Sequence, residues 1–456
     1  MALYLGMVLA GVMAGVAHAE VEQAGWSAGS AKVAITPTES IWMAGFGARD
    51  HPSEGVLHDL WAKALVLQDP GGQRAALVTL DVCGIDRALS LDIRERIKER
   101  HGLERAEVVL ACSHTHSGPV VGKNLITMYP LDTVQRERVA EYSTRFRDRV
   151  VEVVGEAIAR NEPVTLAWDV GRCSFAVNRR NNDQAKVPEL REQLALVGPE
   201  DHDVPVLRAT GRDGTIKAVA FGYACHCTTL SYYMLNGDYA GFAQIAIEKM
   251  YPGSVALFWA GCGADQNPLP RGTPELAERY GEELARSVEL VLAGPMKPVR
   301  GALRVADEEI SLAFGEIPAR EDWVRRASSE NRFEAARAKA LLETIERDGG
   351  LSSTYPYPVQ IWRFGDSFDW VFLGGEVVVD YAHRIKRNLG SDRTWVAGYC
   401  NDVMAYIPSL RVLKEGGYEG GGAMVYYGLP ASWSEKVEEQ VIEAVRKLAS
   451  PAPTTP

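Results

Sequence analysis

The sequence is short of positive charge, of cysteine and of long apolar runs, and each shortage removes a class of function. Lys and Arg number 49 against 60 Asp and Glu, a net charge of −11. The basic surface that holds a phosphate backbone is therefore missing on average, and no nucleic-acid partner is expected. Seven cysteines in 456 residues are too few to staple so long a chain, and at least one must lack an intramolecular partner. Several sit in apolar, strand-like runs where a thiol behaves as a small hydrophobe, so buried thiols are expected ahead of disulfides. Beyond Ala19 no stretch reaches the roughly 18 continuous apolar residues of a membrane span, so no transmembrane segment is expected in the mature chain. One catalytic signature is absent as well: the sequence holds no H-E-x-x-H.

What is present begins with a candidate export signal. Met1 to Ala19 is apolar and ends in Ala17-His18-Ala19, small residues where a signal peptidase cuts, although no Lys or Arg stands near the start. The chain is expected to be exported, periplasmic or secreted, with residues 1–19 removed. No Cys follows Ala19 to carry a lipid. With 46% apolar residues there is ample material for a buried core. No linker or internal repeat interrupts it. The expectation is one large α/β domain over 20–449, a mixed central sheet flanked by helices with the site on loops at strand ends, and a disordered tail over 450–456.

Along the chain, Leu60 to Gln68 and Arg74 to Val82 read as strands joined by Asp69-Pro70-Gly71-Gly72, a hairpin signal. A helical period from Leu89 stops at Gly102, and a strand from Glu107 to Cys112 runs straight into Ser113-His114-Thr115-His116-Ser117-Gly118-Pro119. After a helix near Glu137 to Arg160 and a strand near Val164 to Val170, the strand Lys217 to Tyr223 ends in Ala224-Cys225-His226-Cys227. A helix follows Asp238, read as its N-cap, and Val255 to Trp259 opens into Gly261-Cys262-Gly263-Ala264-Asp265-Gln266-Asn267-Pro268. Pro318 to about Asp348 is charged and helical with no candidate site residue, read as an outer insertion. Strands near Gln360 to Phe364, Asp369 to Leu373 and Thr394 to Gly398, a helix reaching about Asn388, and a closing helix from Ser432 to Leu448 complete the pattern.

Buried strands that end in polar loops are where α/β sheets place ligand groups. In extended backbone, residues two apart point the same way, so His114 and His116 can face one ion if the β geometry persists. Two hydrogen-bonded loop histidines are the bland alternative. Cys225 and Cys227 would then face away from His226, and Asp81 at a strand end is a candidate for orienting the site or holding a structural ion.

The string Val109 to Pro119, VLACSHTHSGP, resembles the neutral/alkaline ceramidases, amide hydrolases with one catalytic zinc. Trp61-Ala62-Lys63-Ala64, Ala176-Val177-Asn178-Arg179, Asn236-Gly237-Asp238 with Gly241 and Phe242, Gly375-Glu376, and Cys400-Asn401 through Tyr406-Ile407 continue the likeness over roughly Val33 to Leu448. It implies zinc ligands His114, His226, Glu376 and Tyr406. It also implies that Arg179 and Tyr418 contact the scissile amide and its oxyanion, while His116, beside the ion, suits proton transfer. Two imidazoles and a carboxylate are ordinary zinc donors, and a phenolate is a rarer one.

The likeness breaks at the family's Gly-Asp-Val-Ser-Pro-Asn motif, whose serine is assigned a nucleophilic role. Here the Asp-x-x-Pro frame puts Asn267 at that position and an ungapped alignment puts Gln266 there; neither is a nucleophile. The family's C-terminal β-sandwich is not expected in this sequence, whose last helix is read as closing near Leu448. The expected function is hydrolysis of an N-acyl amide, ceramide-like or smaller, by metal-activated water, with Asn267 donating a hydrogen bond. A zinc esterase or lactonase on the same fold and an inactive zinc-binding protein are the rivals.

Overall fold

The computed structural model describes residues 25–450, so the candidate export signal and the tail beyond Ser450 lie outside the described residues. Two sheets carry the chain. The larger is formed by β1 (Ser27–Ala34), β2 (Trp61–Gln68), β3 (Arg74–Leu80), β4 (Val108–Cys112), β5 (Glu162–Arg172), β6 (Asp203–Gly211), β7 (Ile216–Tyr223) and β8 (Val255–Ala260). Their order is β8-β7-β6-β5-β1-β2-β3-β4, with Lys297–Pro298 adding a ninth strand beside β5. The sheet is mixed: β3 with β4 and β7 with β8 pair parallel, and the other pairs run antiparallel. The second sheet orders β9 (Leu303–Ala313), β10 (Thr354–Phe364), β11 (Phe368–Leu373) and β12 (Thr394–Ala397) in sequence.

Side-chain alternation sorts these strands into layers. On β4, Val108, Leu110 and Cys112 face the helices Arg87–His101 and Thr133–Ala159, while Val109 and Ala111 face the second sheet. On β8, Ala256 and Phe258 lie on the helix side and Leu257 and Trp259 on the other. Between the sheets, Trp259 meets Trp370 at 5.3 Å and Trp168 meets Trp395 at 6.1 Å. The outer face of the second sheet packs Val359, Ile361 and Val371 against the helices Val379–Leu389 and Val437–Ala449. The result is helices, sheet, sheet, helices. Strands buried on both faces explain why VVLAC and VALFWA read as continuous apolar runs.

Three strands escape the sequence reading. β1 is built from small residues, β6 carries a proline and an arginine, and β9 is an edge strand whose Asp307, Glu308 and Glu309 blunt the apolar pattern. The closing helix starts at Val437, because Ser432 and Ser434 are tied to Gly315 and Ala313 in extended backbone. Asp238 is not the cap: Gly237 is, and Asp238 takes φ +54 while its carboxylate accepts from Leu230 N and Tyr239 N. The Pro318–Asp348 segment is two helices, Arg320–Arg326 and Arg332–Asp348, and the second reaches the loops around Gly47 and Met128. Arg332 donates to the carbonyls of Met128 and Gly47, and Phe333 lines a cavity together with Gly45, Phe46 and Tyr418. All seven cysteines are free and buried.

Candidate metal centre

Loops leaving both sheets converge on one point. β4 ends at Cys112, and His114 then takes φ +59, so extended geometry does not persist to the histidine pair. The turn nonetheless aims both rings together, with His116 Nε2 at 3.0 Å from His114 Nε2. The loop after β7 supplies His226, and the turn after β11 supplies Glu376. Gly375 precedes it at φ +72, where a Cβ would lie 2.7 Å from the Ala405 carbonyl, so only glycine makes that turn. Glu376–Val377 then pairs with Tyr406–Ile407, which brings Tyr406 alongside.

The Nε2 atoms of His114 and His226 each lie 3.1 Å from the same Glu376 oxygen, Oε2. Their Nδ1 atoms are committed elsewhere: His114 Nδ1 is 2.6 Å from the Cys83 carbonyl and His226 Nδ1 is 2.8 Å from that of Gly263. A carbonyl only accepts, so both Nδ1 carry the proton and both Nε2 present lone pairs. Two nitrogen lone pairs and a carboxylate oxygen that has no hydrogen-bond partner thus point at one another. That repulsion needs a cation. In a tetrahedron with arms of about 2.0–2.1 Å the donors stand about 3.3 Å apart, close to the spacing seen. The donor set fits zinc.

The electrostatics agree. Burial pushes the Glu376 carboxyl up, but His114 and His226 outweigh it and hold the group well below its usual range, ionised. Burial, then Arg179, brings His226 down to about 4, a neutral ligand-ready ring. Against its burial, Cys83 and Glu376 draw His114 up to about 10, so without a metal a proton on this imidazole is the cation that fills the spot. Tyr406 Oη lies 3.3 Å from His226 Nε2 and accepts from Arg179 Nη2 at 3.0 Å. Burial keeps its phenol well above its usual range, with Glu376 adding and Arg179 opposing. None of His114, His226, Glu376 and Tyr406 is more than 4% exposed.

Above this floor a cleft of about 620 Å³ opens, lined among others by His116, Arg179, Asn267, Tyr406 and Tyr418. The eight residues expected to hold the metal or to act on the substrate therefore meet. Arg179 stands between Tyr406 and Tyr418, its guanidinium carbon 5.7 Å from each ring, and its Nη1 donates to Asn267 Oδ1 at 3.3 Å. Asn267 and Gln266 lie on opposite faces of a short strand: Gln266 donates away to the Pro199 carbonyl, and Asn267 faces the cleft. His116 is clamped by Phe46, edge-on at 4.8 Å, and by Gly45, where a Cβ would sit 2.3 Å from the ring.

Several residues in this site carried no sequence signal. The Cys83 and Gly263 carbonyls are main-chain groups, and Tyr427, whose hydroxyl donates to Glu376 Oε1, comes from a helix of four residues. Glu419 holds Arg179 Nε at 2.7 Å and Arg180 Nη1 at 2.6 Å; its adjacency to Tyr418 was the available hint. Asp81 is corrected: it accepts from Trp61 N and Gln244, fastening a strand to a helix, and belongs to no candidate metal cluster among the described residues. Cys225 and Cys227 pack in the core beneath the first sheet's helices.

Residues 26–262 match the family model described as neutral/alkaline non-lysosomal ceramidase, N-terminal. The chain belongs to that ceramidase family. It is 26% identical to neutral ceramidase B of Dictyostelium discoideum over 46% of this chain and 31% of that protein. With the neutral ceramidase of Pseudomonas aeruginosa it shares 25% over 88% of this chain and 68% of that one. The match to the first relative thus spans about a third of its length. The fold is shared with a ceramidase complexed with C2, at a TM-score of 0.72 and 17% identity over 93% of this chain and 75% of that one. The crystal structure of the Pseudomonas aeruginosa neutral ceramidase gives 0.70 at 18% identity, over 94% and 76%. Of Asn267 and Gln266, the two residues on which the family motif's serine position could fall, Asn267 is the one that lines the cleft.

Proposed function

We propose that this chain is an exported zinc-dependent hydrolase that cleaves the amide of an N-acyl, ceramide-like or smaller, substrate with water. The observation that carries the reading is the convergence of His114 Nε2, His226 Nε2 and Glu376 Oε2, three donors whose other hydrogen bonds leave them complementary only to a cation. With Tyr406 they would hold zinc, which when bound would polarise the amide carbonyl and lower the pKa of a water toward about 7. No membrane-crossing helix is found among the described residues, and export rests on the Met1–Ala19 pattern.

The chain's own residues divide the remaining work. Arg179, fixed by Glu419, and Tyr418 donate to the carbonyl oxygen as it gains charge. The Asn267 amide is held toward the cleft by Arg179 and orients the reacting groups. Burial, then the imidazoles of His114 and His226, hold His116 well below its usual range and so neutral, and its place beside His114 in the cleft suits it to pass a proton from water to the amine nitrogen. The C–N bond breaks, a C–O bond forms, and the products are a carboxylate and an amine.

The test is metal analysis of the purified protein together with a panel of matched N-acyl amides and esters, repeated on His114→Ala. About one zinc per chain, amide turnover, and loss of both in the variant are expected. Equal zinc and equal turnover in the two proteins would refute the proposal, and ester turnover without amide turnover would make it an esterase.

A further inference from the structure

The cleft wall carries more positive charge than the proposed chemistry uses. In a chain of net charge −11, Arg179, Arg180 and Arg271 line one wall. Glu419 is shared between Arg179 and Arg180, and Glu415 takes the other end of Arg180 at 3.1 Å. That leaves Arg271 without an acid. Among the described residues its side chain has no hydrogen bond and no ion pair, although it is half-buried. Burial and the like charge of Arg179 both weaken its hold on the proton, with Asp238 and Cys225 too weak in compensation to reverse this. A partly exposed guanidinium with no protein partner is free to pair with an anion that a ligand supplies.

A second group lines the same cleft. Thr228 is 3% exposed, lines the cleft, and its hydroxyl has no partner. It belongs to the loop that begins at His226, and Cys227 in that loop accepts from His116 N at 3.0 Å. The Arg271 loop is tied to it in turn, Gly272 N donating to the Thr229 carbonyl at 2.8 Å. Thr228 and Arg271 thus stand on the His116 side, where the leaving amine would receive its proton. A hydroxyl and a guanidinium, both unsatisfied, form a recognition pair for a carboxylate or sulfonate.

We infer that the substrate is an N-acyl compound whose amine half carries an anionic group, a carboxylate or sulfonate, seated on Arg271 and Thr228. This rests on the amide-hydrolase reading above for the reaction, and not for the binding. Ceramide, whose amine half is uncharged, would leave both groups unpaired, a strong basis for discrimination.

The zinc-loaded protein is assayed with N-dodecanoylglycine, N-dodecanoyltaurine and the neutral N-dodecanoylethanolamide, and the same compounds are titrated calorimetrically. The anionic compound of the preferred head group is expected to exceed the neutral one by at least ~10-fold in kcat/KM and in affinity. That ratio should collapse in Arg271→Gln, mainly through KM, and return in part in Arg271→Lys. Whether glycine or taurine leads identifies carboxylate or sulfonate. Equal rates and affinities for anionic and neutral compounds, or a ratio unchanged in Arg271→Gln, would overturn the inference. Anion-selective binding without hydrolysis of any amide would sink the hydrolase reading alone; turnover of the neutral amide without anion preference would sink this inference alone.

Discussion

The floor and the wall of the cleft are built on opposite principles. The floor is dry: its four donors are at most 4% exposed, and the imidazoles are aimed by main-chain carbonyls that no substitution removes. The wall is wetter and held by side chains, with Tyr418 43% exposed and Arg179 fixed by a single carboxylate. A floor of this kind tolerates little change and sets the chemistry. A wall of this kind can be rebuilt residue by residue, and it sets what is bound.

That contrast can be broken first at the floor. Glu376→Ala deletes the one anionic donor, and because a bound metal supplies several kcal/mol of catalysis, turnover should fall on the order of a thousandfold with loss of zinc. Zinc content and kcat measured together check it; full zinc with full turnover would place the metal elsewhere. The wall should respond differently. Glu419→Gln leaves the Arg179 guanidinium without a carboxylate and leaves Arg180 with Glu415 alone. A cost of about 3 kcal/mol in stability is expected, with KM raised and zinc retained. Denaturant titration and steady-state kinetics read the two halves of that statement.

Much of the floor was legible in the sequence because its residues close strands. His114, His226 and Glu376 each follow a buried run by a few positions, and a ligand at a strand end is a pattern that spacing can carry. The carbonyls that orient them were not legible, since every residue owns one and only the folded turn says which is used. The likeness in sequence extended to Arg179 and Tyr418 on the wall but not to Glu419, whose role exists only through a contact made 240 positions away. Arg332 and Phe333 were hidden by a helical period that shows amphipathicity and not destination.

Smaller effects sharpen the contrast within the floor. Tyr427→Phe removes the hydroxyl that steadies Glu376 Oε1, and zinc affinity should drop by about tenfold while the fold is kept, as a competitive chelator titration would show. Asp402, whose carbonyl accepts from Gly375 N, is the counterpart of Glu376: equally buried, but facing a tyrosine hydroxyl in place of imidazoles. Burial pushes its carboxyl up to about 8. The folded chain therefore keeps a proton that the unfolded chain releases near pH 4. Asp402 contributes most stability below that value, and its contribution declines as pH rises toward about 8. In Asp402→Asn the fall in unfolding midpoint between pH 5 and 8 should flatten, with the smallest change in turnover of these variants; an unaltered pH slope would show that Asp402 is ionised in the folded chain.

The most direct measurement is anomalous diffraction on either side of the zinc absorption edge, from crystals of the zinc-loaded protein. The expected result is one strong peak among His114, His226, Glu376 and Tyr406, in contact with each. A peak coordinated by another set of residues, or no peak at full zinc loading, would contradict the assignment of these loops as a zinc centre.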